Sequence, residues 1–126
     1  MARLEVDGTD LVLRLSWGEK IAGFHANLRA PLTSVRSVSV PAQPWLALRG
    51  WRMAGTGIPH LVAVGTRRHG TGYDFSALHR SRKAVQIELA TGRFQRWLVS
   101  VDEGEDAATE AKRIADAAGI RVSGAD

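Results

Sequence analysis

Cysteine is absent from the 126 residues, which excludes a disulfide framework, a thiolate nucleophile and any zinc site built on sulfur. Long apolar runs are missing as well; no window approaches the roughly eighteen residues a membrane helix needs. The opening Met1-Ala2-Arg3-Leu4-Glu5 turns acidic at once and has no apolar segment of the secretory kind, so a cytoplasmic location is expected. Glycine and proline, 13 and 4 residues, are too few for a low-complexity chain. Lysine occurs only at positions 20, 83 and 112, so nearly all the positive charge is arginine, a bias that reads as base composition rather than nucleic-acid recognition. The net charge of +4 supports attraction to anions without identifying one.

What remains is an apolar fraction of 44% and a charged fraction of 24%, the balance of one globular domain covering residues 1–126. Asp7-Gly8 between Arg3-Leu4-Glu5-Val6 and Leu11-Val12-Leu13-Arg14-Leu15 predicts a hairpin, because Gly supplies the positive φ of a tight turn. Ser16 with Glu19 three residues later forms a capping box for a short helical connector ending near Gly23. Alternation predicts a strand over Phe24 to Ala30, and β-branched residues predict another over Val35 to Val40. A long irregular loop with Trp45 and Trp51 is expected from Pro41 to Pro59, because Pro41, Pro44 and the glycines after Gly50 bound it.

Further strands are expected at His60 to Thr66, Tyr73 to Leu78, Ala84 to Leu89 and Arg93 to Val101. In Ala84 to Leu89 the period of two places Val85, Ile87 and Leu89 on one face and Gln86 and Glu88 on the other, a half-buried strand. Asp102 followed by Glu105 predicts a helix cap. Apolar residues at helical spacing then run over about 103–118 to a Gly119 stop and a short tail, 119–126. The fold class that follows is mainly β with one C-terminal helix. About seven antiparallel strands, within residues 2–101, would bend into a partly open barrel capped by that helix.

Several segments carry a family likeness: Leu13-Arg14-Leu15-Ser16 with Glu19-Lys20, Leu28 to Val38 (LRAPLTSVRSV), Leu48-Arg49-Gly50-Trp51-Arg52 with Gly55-Thr56-Gly57-Ile58-Pro59, and Gly65-Thr66-Arg67-Arg68. In these the chain resembles small actinobacterial pleckstrin-homology-like domain proteins of unknown function. The resemblance implies a barrel of two nearly orthogonal sheets closed at one end by the terminal helix, used as a binding module. The basic first hairpin of phosphoinositide-binding members is replaced here by the acidic Asp7-Gly8-Thr9-Asp10.

Catalytic and metal chemistry find no footing in the pattern, and neither cofactor nor metal is expected. Histidines 25, 60, 69 and 79 lack a spacing that places two ligands on one ion. Asp74 and Ser76 share a strand face without a nucleophile elbow or an ordered triad. Gly65 to Gly72 lacks the Lys-Ser/Thr ending of a phosphate loop and reads as a hairpin tip.

Two groups of candidates remain. Trp45, Leu46, Leu48 and Trp51 form an interaction surface if exposed and a lid over the barrel corner if buried. Arg67 and Arg68, with Arg80, Arg82 and Lys83, are the candidate anion contacts. A strand from Tyr73 to Leu78 separates the two clusters by about 20 Å, on opposite rims, so lipid or nucleic-acid contact through them is expected to be weak and non-specific. The expected function is a non-enzymatic binding or assembly module whose partner is a protein or a second copy of the chain. A weak anionic-ligand or phospholipid domain, and a small enzyme with an unrecognised site, are the alternatives.

Overall fold

The computed structural model describes residues 2–23, 27–58, 62–79, 82–102 and 105–123. The first hairpin forms as its sequence dictates: β1 (Arg3–Asp7) and β2 (Asp10–Arg14) pair antiparallel around Gly8 at φ 60°. Strand β3 (Leu28–Pro31) adds to β2, giving a three-stranded sheet. Arg29 holds its hairpin end, reaching Asp7 at 2.9 Å and Asp10 at 2.8 Å. Between β2 and β3 lies α1 (Trp17–Gly23), closed by the expected capping box: Ser16 N–H donates to Glu19 Oε1 at 3.0 Å and Glu19 N–H to Ser16 Oγ at 3.3 Å. Of the strand expected over Phe24 to Ala30, residues 24–26 lie outside the described ones.

The second sheet has six strands: β4 (Val35–Ser39), β5 (Trp51–Ile58), β6 (Val62–His69), β7 (Gly72–His79), β8 (Ala84–Leu89) and β9 (Phe94–Ser100), in the order β4-β8-β9-β7-β6-β5. The expected count of about seven antiparallel strands is therefore corrected. Nine are present among the described residues, in two sheets that do not close, and β7 runs parallel to β9. Periodicity cannot tell which strand of a hairpin faces inward. Here β9, with Trp97, Leu98 and Val99 buried, lies between β7 and β8, and β8 in turn lies between β9 and β4, so both are interior strands.

Residues 51–58, expected as loop, are strand β5. One of the glycines that suggested a loop, Gly55, serves close packing instead. Gly55 has φ 117°, and a Cβ there would lie 2.1 Å from the Val64 carbonyl oxygen, an approach only glycine allows.

The main core lies between the sheets and under the last helix, around Leu11, Leu13, Phe75, Ile87, Trp97 and Ile114. Phe75 and Phe94 meet edge to face at 5.6 Å. The far face of the larger sheet is also covered. A 3-10 turn, Pro44–Ala47, and Leu48 pack Trp45, Ala47 and Leu48 over Ala63, Leu78, Ala84 and Leu98. Strand β8 is consequently buried on both faces, Gln86 included, rather than half-buried.

The helix expected from about 103 is α2 (Ala107–Ala118), and Asp106 rather than Asp102 is its cap. The Asp106 side chain accepts from Ala108 N–H at 3.3 Å and Thr109 Oγ1 at 2.9 Å, while the Asp102 carbonyl accepts from Glu105 N–H at 3.0 Å. Gly119 at φ 74° ends the helix as its sequence predicts. Beyond it Val122 bridges to Val38, and Ser123 N–H donates to the Val38 carbonyl at 2.7 Å, covering part of the β4 edge. No helix among the described residues is long and apolar enough to cross a membrane.

Candidate functional site

The aromatic candidates divide between the two roles that the sequence left open. Trp45 and Leu48 are half-buried against the outer face of the larger sheet and act as a lid. Leu46 is 76% exposed and Trp51 71%, so these two meet solvent.

Charged side chains fasten this segment. Arg49 forms a two-pronged pair with the buried Asp74, Nε to Oδ2 at 2.5 Å and Nη2 to Oδ1 at 2.9 Å, and this bond raises the Arg49 pKa above its ordinary value. Arg67, a candidate anion contact, donates from Nε to the Arg49 carbonyl at 3.2 Å and from Nη2 to the Gly50 carbonyl at 2.9 Å. Arg96 holds the Ala47 carbonyl at 3.2 Å and Glu88 at 2.9 Å. These guanidinium groups tie the lid down, and Arg67 thus holds the chain's own carbonyls.

On the opposite face, at the end of the sheet nearest the β6–β7 turn, register places Trp51 beside Arg68, Arg68 beside Tyr73, and Tyr73 beside Phe94. Directly paired residues put their side chains on one face. Trp51 and Arg68 are exposed and Tyr73 is half-buried. Arg93 lies over the rings of Tyr73 at 5.3 Å and Phe94 at 5.4 Å. The result is a row of alternating aromatic and cationic groups drawn from four strands.

The structure thus unites Trp51 with Arg68 and leaves the other cations apart. Arg82 and Lys83 follow the far end of β7, roughly 23 Å from its start at the rise of an extended strand, where the Lys83 carbonyl accepts from Val101 N–H at 2.9 Å. Arg80 lies outside the described residues. Tyr73 and Arg93 were not singled out from sequence. A signal for this surface was nonetheless present: from Lys20 to Tyr73 there is no Asp or Glu, while Lys20, Arg29, Arg36, Arg49, Arg52, Arg67 and Arg68 all fall in that stretch.

The remaining polar candidates have structural partners. Ser76 Oγ donates to the Ala63 carbonyl at 3.0 Å, and Asp74 is taken by Arg49, so the two do not act together. His79, whose sequence context named no partner, donates from Nε2 to Glu19 Oε2 at 2.8 Å and ties α1 to β7. Burial pushes the Glu19 pKa up, but hydrogen bonds from His79, Ser16 and the Ala2 backbone outweigh it and hold the carboxyl at about 2. His25 and His60 lie outside the described residues. Among the described residues no three His, Cys, Asp or Glu side chains gather as a metal site would require. Set against family models, curated proteins and solved structures, the chain matches none.

Proposed function

We propose that this chain is a non-enzymatic protein-binding module and that the row Trp51, Arg68, Tyr73, with Arg93 beside it, is its contact surface for an acidic segment of a partner protein. The observation that carries the reading is the cross-strand register joining an exposed Trp to an exposed Arg and a Tyr. Those three residue types dominate the energetics of protein interfaces, since each offers a large contact area together with a polar or cationic handle. The exposed cations Arg68 and Arg93 on this surface add charge complementarity to an acidic partner. A nucleic-acid strand is less suited, because the other cationic cluster sits at the opposite end of β7 and gives no continuous track for a phosphate backbone. A pleckstrin-homology-like architecture belongs to the same proposal. Two sheets with the terminal helix against β4 and β8 support it, while the parallel β7–β9 pair departs from an all-antiparallel barrel.

The test is titration with a labelled peptide that alternates glutamate with leucine and tyrosine. Saturable binding is expected, weakening between about 50 and 200 mM salt and falling at least tenfold in Trp51→Ala and in Arg68→Glu. Both positions are exposed, so the melting temperature should hold. Equal binding by the variants, or binding of an oligothymidylate or of anionic vesicles in place of the peptide, would overturn the reading.

A further inference from the structure

Between β3 and the β8–β9 turn the two sheets leave a groove of about 340 Å³, at the small end of the range for ligand sites. Its walls are apolar: Leu28, Ala30 and Pro31 on one side, Leu89, Phe94 and Trp97 on the other. Two observations distinguish it from a simple gap in packing. Trp97 is only 2% exposed, and its Nε1 N–H, closed to water, meets no acceptor among the described residues. A buried indole N–H ordinarily finds a partner.

The second observation is the charge at the rim. Arg29 is committed to Asp7 and Asp10, whereas Arg93 is exposed, stacks its face on Tyr73 and Phe94, and has no carboxylate partner among the described residues. A guanidinium stacked in this way keeps its N–H edge available for a carboxylate. The groove therefore combines apolar walls, Trp97 among them, with a cation at the mouth that has no carboxylate partner among the described residues.

We infer that this groove binds a small apolar carboxylate, such as a free medium-chain fatty acid. Its chain lies along Leu28, Ala30, Leu89 and Phe94, and its carboxylate faces Arg93. Trp97 forms part of the groove wall, so its indole signal is the natural readout. The inference does not rest on the protein-binding proposal. It shares Arg93 and Phe94 with the row that carries that surface, and its ligand is a small molecule.

Titration of indole-labelled protein with decanoate tests it, Trp97→Phe assigning the resonance by its disappearance. A saturable shift of the Trp97 N–H is expected. Affinity should fall about tenfold in Arg93→Ala, and decanol, which keeps the chain and loses the charge, should bind about tenfold more weakly than decanoate. Arg93 is exposed, so that variant folds, and Trp97→Phe should weaken binding severalfold. The inference fails if Trp97 does not respond, if Arg93→Ala or Trp97→Phe binds decanoate as the parent does, if decanol equals decanoate, or if only anionic vesicles bind.

Discussion

Arg49 and Asp74 meet through two parallel hydrogen bonds, 2.5 and 2.9 Å long, and thereby anchor the segment between the exposed Leu46 and Trp51 to the outer face of the larger sheet. Asp74 sits on β7 with its carboxylate almost wholly buried, so loss of the arginine would leave a charge that water cannot reach. Arg49→Ala is therefore expected to destabilise the fold by about 2 kcal/mol, and Arg49→Lys, which cannot form the fork, by about half of that. Urea unfolding of the three proteins checks both. Equal midpoints would show that the Arg49–Asp74 pair does not stabilise the fold.

Glu19 gives the fold an acid dependence whose sign follows from its depressed pKa. A carboxyl held at about 2 when folded, against an ordinary value of 4.5, contributes stability that is fully present above about pH 5 and lost as pH falls toward 2. The contribution is on the order of 2 kcal/mol. Glu19→Gln should flatten the stability profile between pH 5 and 2, measured as urea midpoints across that range. A variant with the parent's slope would place the acid sensitivity elsewhere.

The cap of α2 yields a paired comparison. Asp106→Ala removes the acceptor of Ala108 N–H and Thr109 Oγ1 and should cost about 1 kcal/mol, with faster hydrogen exchange in the first turn of the helix. Asp102→Ala, whose side chain does not cap the helix, should change the midpoint much less. The reverse ranking would return the helix start to the position the sequence pattern suggests.

That misplacement shows where local reading stops. Asp102 with Glu105 satisfies the capping-box pattern, yet the helix begins after Asp106, where Ala107, Ala111 and Ile114 are buried against the core. The same holds for β5. Gly55 looks like a loop residue in isolation and proves to be a strand residue because the Val64 carbonyl approaches it so closely.

The sequence by itself determined what depends on a few neighbouring residues: the Asp7-Gly8 hairpin, the Ser16–Glu19 box, the alternation of Val85, Ile87 and Leu89, and the Gly119 stop. Each is set by backbone φ or by side-chain periodicity within one turn or one strand. Tertiary structure alone decided the parallel seating of β9 beside β7, the burial of Gln86 on β8, and the union of Trp51, Arg68 and Tyr73 in one row. Those outcomes depend on which strands become neighbours. That choice is made by the burial of whole apolar faces, through contacts between residues far apart in the chain that local pattern does not encode.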